Sequence, residues 1–323
     1  MRFKSVGAIV ASAALVATLS ACSQNSGGGS AGGYKPSGNI TMLVPFGAGG
    51  GSDISGRAIA DGLESVTGLR FTTTNVEGGS GAVGYAQFQA QKGNDTYLLP
   101  AETAMLALPI SQPDVTFTYE DFTPIMKLGD DASVMVVKQD SPYNSCKEVV
   151  DASKNKRVVA GVSGAISNDA VLASLLEKNA GAKLDRVPFE SGGEVVAALL
   201  GGKVDVIFNS PSEVMGQIEA KQVKPLCVFS EERFTYDALK DVPTAPEQGI
   251  DVTYAQFRSF IAPGGISEES KQYWIDAAKK FAESDAYKSY IEDNMMQPDA
   301  AYGDDFSAYL KTTNDELKKA LAK

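Results

Sequence analysis

The sequence predicts an α/β protein of two lobes, each a sheet flanked by helices. Three observations carry that prediction. A strand, a glycine loop and a helix follow one another at residues 40–66, and a second unit of the same kind comes directly after. The alternation of strands and helices resumes from residue 157, as a similar series but not a sequence repeat. Finally, about 290 residues follow a short leader and tether, enough for two domains with sizeable cores.

The chain opens with a basic stretch, Met1-Arg2-Phe3-Lys4, and an apolar run of small residues over 6–19. The run is shorter than the ~20 residues of a bilayer span, so residues 1–21 read as an export signal. Leu19-Ser20-Ala21-Cys22 resembles the lipobox of bacterial lipoproteins, which implies cleavage before Cys22 and acylation of its thiol. The alternative is a soluble exported protein with an incidental cysteine. Residues 22–33, glycine-rich and polar, form a flexible tether that leaves the folded part in water at a membrane surface.

The first strand is the branched apolar run at residues 40–44, ended by Pro45. Phe46-Gly47-Ala48-Gly49-Gly50-Gly51 then carries little side chain and lets backbone approach a ligand. Ser52 or Asp53 caps a helix whose Ile54, Ala58, Ile59, Leu63 and Val66 recur at helical spacing. A helix start offers unpaired N–H donors and partial positive charge, which suits an anion. Residues 70–75 alternate as a second strand leading into Gly78-Gly79-Ser80-Gly81 and a helix at 82–91, and residues 96–100 form a third. Both glycine loops thus fall at carboxyl ends of neighbouring strands, the side on which open α/β sheets bind ligands.

The second series has strands at 157–161, 184–189, 204–208 and 223–229, with a helix carrying Ala170, Val171, Leu175 and Leu176 and further helices at 192–200 and 212–221. The small-residue loop 162–167 leads to Ser167 or Asn168 as a helix cap. Residues 122–138 and 254–263 are apolar segments that cross between lobes. The tail from Ser267 is helical, with Tyr273, Trp274, Ala277, Phe281, Phe306, Leu310, Leu317 and Leu321 as core positions, and it folds back on the first lobe. Lobe 1 is therefore expected to comprise residues 34–132 and 257–323, and lobe 2 residues 133–256.

Composition removes several function classes. The formal charge is −11, or −13 once Arg2 and Lys4 leave with the signal, which argues against nucleic acid as a partner. The chain has no histidine, so imidazole acid–base catalysis, Ser-His and Cys-His nucleophiles and most transition-metal sites are gone. No calcium loop or Walker-type pattern is present either, and neither metal nor cofactor is expected. Cys146, at a helix start, and Cys227, inside a strand, read as two separate packed thiols, although export would permit a disulfide. Gly79-x-Gly81-x-x-Gly84 is a literal GxGxxG, with Glu102 where a ribose-binding acid belongs. A dinucleotide enzyme is the reading it offers, against the exported address and the lack of a hydride-handling histidine.

Several segments taken in order carry a family resemblance. VPFGAGGGSD at 44–53 resembles the VPFxAGGxxD opening of the substrate-binding receptors of tripartite tricarboxylate transporters, the Bug-type proteins. NVEGGSGAVG at 75–84 stands where that family has an NxPGAGGxxG-like loop. VPFESGG at 187–193 is similar to its VPYxGG, LGGKVDV at 200–206 to its LLGGxVDV, and DVPT at 241–244 to its DVPT. EQGIDV at 247–252 and APGGIS at 262–267 complete the series.

The resemblance implies a periplasmic-binding-protein-like Venus flytrap with a mixed sheet in each lobe. It further implies a monomer that closes on a small di- or tricarboxylate and delivers it to an integral-membrane permease. The family grips a carboxylate with first-lobe backbone N–H groups, here at Phe46, Gly47, Ala48, Gly49 and Gly50 and at Gly78, Gly79, Ser80 and Gly81, with Ser52 and Asp53 at the helix start. Second-lobe contacts fall on Ser163, Gly164, Ser167, Asn168 and Asn209. Departures are Val76-Glu77 for a basic-Pro pair, Asp169 where relatives often have His, and Asn209 where many have Asp. Phe257-Arg258-Ser259 resembles the Trp-Arg-Gly of citrate-type receptors, and Arg258 either pairs with an extra ligand carboxylate or forms a surface ion pair. A ligand sensor serving a signalling partner shares the fold and is the second reading; an exported enzyme is the third.

Overall fold

The computed structural model describes residues 34–321, with residue 165 excepted. The signal, the lipobox cysteine Cys22 and the tether lie outside the described residues.

The chain enters as β1 (Asn39–Val44), α1 (Gly51–Thr67), β2 (Arg70–Asn75), α2 (Ala82–Gln89), β3 (Tyr97–Ala101), α3 (Ala104–Ser111) and the long β4 (Phe122–Ala132). It continues through β5 (Val134–Lys138), α4 (Cys146–Ser153), β6 (Val158–Val162), α5 (Asn168–Ala180), β7 (Leu184–Pro188), α6 (Gly192–Leu200), β8 (Val206–Asn209), α7 (Pro211–Glu219) and β9 (Val223–Val228). It returns as β10 (Ala255–Pro263), α8 (Glu268–Glu283), α9 (Asp285–Asp293), β11 (Gln297–Tyr302) and α10 (Gly303–Leu321).

Two mixed sheets result, and the fold is the two-lobed α/β arrangement. The first has the order β11-β4-β10-β3-β1-β2 and the second β7-β6-β8-β5-β9. β1 runs parallel to β2 and β3, as strands joined through helices must, while β10 is antiparallel to both β3 and β4. In the second sheet β6 is parallel to β7 and β8, and β5 is antiparallel to β8 and β9. A single residue, Ser133, links β4 to β5 across the sheets, and its carbonyl accepts the Phe229 N–H just past β9. Tyr254 N–H in turn bonds the Phe229 carbonyl at the start of the return crossing.

The tail helices cover the first sheet: Trp274, Ala278 and Phe281 pack with Ile40, Ile59 and Leu63 around buried β-strand residues. Val171 of α5 packs in one apolar cluster with Phe257 and with Phe306 and Leu310 of α10, which ties the second sheet's helix to the first sheet's.

Three expectations need correction. Cys146 and Cys227 are bonded in a disulfide, with Cα atoms 5.9 Å apart, because the start of α4 packs directly on β9. Neither Ser52 nor Asp53 is the cap of α1: the N-cap is Gly50, two residues before Ser52 and three before Asp53, and no side chain caps it. The tail is not helical throughout, since the polar strand β11 adds to the edge of the first sheet before α10.

Candidate functional site

The carboxyl ends of β1, β3, β6 and β8 converge on a narrow cleft between the sheets, with a cavity volume of about 60 Å³. Phe46, Gly47, Gly50, Gly51 and Ser52 line one wall; Ser163, Ser167, Asn168 and Asn209 line the other. A contiguous recess adds Gly78, Gly79, Ser80, Gly81 and Gly164, and the two loops meet there closely: a Cβ on Gly164 would lie 2.8 Å from Ser80 Oγ. Ala48 and Gly49 fall on the exposed rim outside the lining.

Asp53 is buried but turned away from the cleft. Its carboxylate accepts the Gly49 N–H at 2.9 Å, Asn75 Nδ2 at 2.9 Å and Arg57 Nε at 3.0 Å. Burial alone would raise its pKa, but these hydrogen bonds outweigh burial and hold it below the ordinary aspartate value. Asn75 Nδ2 also bonds the Phe46 carbonyl at 2.9 Å, so Asp53 and Asn75 together fix the glycine loop. With Asp53 occupied in this way, the N–H groups of Gly51 and Ser52 at the start of α1 have no acceptor among the described residues. Gly51 must be glycine, because a Cβ there would lie 2.5 Å from Arg258 Nη2.

Arg258 sits directly beneath that helix start, 5 % exposed. Its Nε and Nη2 donate to one oxygen of Asp131 at 2.9 and 2.6 Å, and Nη1 donates to Glu102 at 2.5 Å. Ser210 and Gln256 complete Asp131's partners, and Ser52 Oγ donates to Glu102 at 2.7 Å. Burial would lower the arginine's pKa; the two carboxylates more than reverse that and keep it charged. The ion pair is thus internal and buried, where the sequence had left a ligand contact or a surface pair open. Glu102, the acid a dinucleotide reading needs for a ribose, is one of its partners, and Gly84 serves close packing, since a Cβ there would lie 2.6 Å from Pro45 Cα.

On the second wall Ser167 caps α5. Asp169 accepts from Ser163 N–H at 2.6 Å and from the Ser167 hydroxyl, and burial raises its pKa despite these bonds. Asn168 Nδ2 donates to Ser133 Oγ at 3.0 Å, and Asn209 Nδ2 to Glu213 at 3.1 Å. Burial likewise raises the Glu213 pKa.

A profile described as "Tripartite tricarboxylate transporter family receptor" matches residues 56–322. The chain belongs to this receptor family. Among its relatives, Protein BugT of Bordetella pertussis is 27% identical over 266 residues, which cover 80% of this chain and 78% of that protein. A TctC solute binding protein from Polaromonas, solved without ligand, is 27% identical with a TM-score of 0.68, over 89% of this chain and 99% of that one. A protein from R. palustris solved with adipate shares the fold at TM-score 0.81 and 20% identity, over 87% and 95% of the two chains.

Not legible in the sequence were Glu102 as an ion-pair partner, Asp131, Glu190, Ser191, Gly192, Ser210, Glu213 and Gln256, which line or support the cleft. Their shared signal is position: Glu102, Asp131 and Ser210 stand at or just past strand ends that face the cleft.

Proposed function

We propose that this chain is an extracytoplasmic receptor, held at the membrane by acylated Cys22, that closes its two lobes on a small carboxylate and hands it to an integral-membrane permease. The lobes are taken as residues 34–132 with 257–323, and residues 133–256. One observation carries the reading. The start of α1 opens on the cleft with free Gly51 and Ser52 N–H groups, beside a charged arginine, and so forms an anion site without any basic side chain reaching the ligand. The adipate held by the R. palustris protein of the same fold supports a carboxylate as the ligand class.

A ligand that bridges the walls favours the closed form only through contacts absent from the open one. The closed protein must then satisfy every oxygen of the carboxylate, because desolvated charge without hydrogen bonds is expelled. The citrate-like ligand expected from Arg258 has to compete with Asp131 and Glu102 for that guanidinium. Calorimetric titration of unfolded and refolded protein with citrate, tricarballylate, succinate, malate, glutamate and nicotinate tests the reading. Saturable one-to-one binding of at least one acid is expected; silence from all of them removes the carboxylate receptor.

A further inference from the structure

The two walls of the cleft offer opposite things to a ligand. The first wall offers donors, at the open start of α1. The second offers acceptors. Asn209, 3 % exposed, spends its Nδ2 on Glu213 and leaves its Oδ1 with no partner, and Asn168 spends its Nδ2 on Ser133 and leaves its Oδ1 equally unpartnered. The bond to the Glu213 carboxylate fixes which way the Asn209 amide faces, since the reverse would set oxygen against oxygen. A buried acceptor without a donor is costly, so this wall is built to receive N–H or O–H groups.

Charge points the same way. Among the described residues, Glu102, Asp169, Glu190 and Glu213 line the cleft against one cation, Arg258, which is itself held by Glu102 and Asp131. The starts of α5 and α6 on the second wall each carry an acid close by. Asp169 accepts the Ser163 N–H of the preceding loop and the Ala170 N–H in the first turn of α5. Glu213 lies against the start of α6, where a Cβ on Gly192 would be 2.3 Å from Glu213 Oε1. α1 differs in that its own acid, Asp53, is bonded to the underside of the loop. A ligand carboxylate on the second wall would face Glu213 and Asp169 with no cation on that wall, among the described residues, to offset them.

We propose that the cleft selects a zwitterion: a carboxylate seated on the start of α1 and a protonated amine on the second wall, bonded to Asn209 Oδ1 and paired with Glu213. This rests on the receptor reading above and narrows its ligand class from diacids to amino-carboxylates. The ammonium supplies the N–H donors that Asn209 lacks and the positive charge that the acidic wall lacks.

Length-matched pairs test it on the refolded full chain by calorimetry: succinate against 4-aminobutyrate, glutarate against 5-aminovalerate, adipate against 6-aminohexanoate. Putrescine serves as a cation without a carboxylate. The expected result is that in at least one pair the amino acid binds tenfold or more tighter than its diacid. In that pair Glu213→Gln lowers the amino acid's affinity about tenfold and does not weaken the diacid. Because Gln keeps the bond from Asn209, a folding defect would instead weaken both members together, and circular dichroism of the variant separates that case. Diacids binding tighter in every pair would overturn the zwitterion and leave the carboxylate receptor standing. Binding of putrescine with no carboxylate bound would overturn the receptor reading and the zwitterion with it, as would silence from all probes.

Discussion

Replacing Arg258 with glutamine should unfold the protein more readily than any single change on the surface. The guanidinium makes three close bonds, two to Asp131 and one to Glu102, with Arg258 5 % and Asp131 3 % exposed. Removing one partner of a buried ion pair costs roughly 3–5 kcal/mol, because the surviving charge stays desolvated. Asp131 would keep Ser210 and Gln256, and the more accessible Glu102 would keep Ser52, so the loss should sit near the middle of that range, about 4 kcal/mol. Equilibrium urea unfolding of the single variant, of Asp131→Asn and of the double variant measures it. The double variant should be more stable than Arg258→Gln alone, with a coupling energy of about 2 kcal/mol or more. Arg258→Lys should fall between, since an ammonium cannot span both carboxylates as the fork does. A cost below about 1 kcal/mol for Arg258→Gln, with no coupling to Asp131, would refute the reasoning. It would mean that the guanidinium is not neutralised from within and is free for a ligand.

Three further outcomes follow from the same structure. Changing both Cys146 and Cys227 to serine opens a link spanning 81 residues and should cost about 4–5 kcal/mol by the chain-entropy relation, read as a lower urea midpoint in the variant and in reduced wild type. Gly62→Ala should destabilise despite alanine's better helix propensity: a Cβ there would sit 2.2 Å from Phe281 Cε2, and overpacking of about 1–3 kcal/mol outweighs a gain of about 1 kcal/mol, which a thermal melt reads directly. Glu213, whose pKa burial raises, keeps its proton in the folded state after the unfolded chain has lost it near pH 4.3, so stability should fall as pH rises through that window. Glu213→Gln removes that fall, and melts at pH 4 and pH 8 should show the variant gaining on wild type only at the higher pH.

What the sequence disclosed was local. The strand, glycine loop and first turns of α1 could be read because each depends on neighbours within a few residues. α3 escaped because AMLALPIS is uniformly apolar and holds Pro109, so no helical period shows. β11 escaped because QPDAAY is a short polar edge strand with no alternation. The disulfide joins a helix start to a strand centre, and nothing near either cysteine reports the other. The acid system was hidden for the same reason: Glu102, Asp131 and the Asn209–Glu213 pair come from three separate segments, and only the strand order brings β4 beside β10 and so places Asp131 under Arg258. The loop at 46–53 looked like a set of equivalent contacts, yet Asp53 works from beneath it and Ala48 and Gly49 stand on its rim.

The direction of the field across the cleft bears on closure itself. Arg258 beneath α1 adds to the positive end of the helix, but Glu102 and Asp131 neutralise most of its charge, so the first wall attracts through oriented N–H groups more than through net charge. Such an attraction acts at contact and, on the receptor reading, would persist in an open form, where one lobe alone would hold a carboxylate. The second wall contributes only when the lobes meet. There a unit charge about 4 Å from Glu213 is worth about 4 kcal/mol at an effective dielectric of 20, favourable for an ammonium and unfavourable for a carboxylate. Since a ligand shifts the lobes only by the difference between its affinities for the two forms, the zwitterion proposal implies a first wall that captures acids of many kinds and a second that decides which of them close the protein. A diacid held by α1 alone should therefore bind without closing the lobes, and small-angle scattering with succinate and with 4-aminobutyrate should separate the two: compaction with the amino acid, none with the diacid. Equal compaction by both would show that the second wall does not read charge.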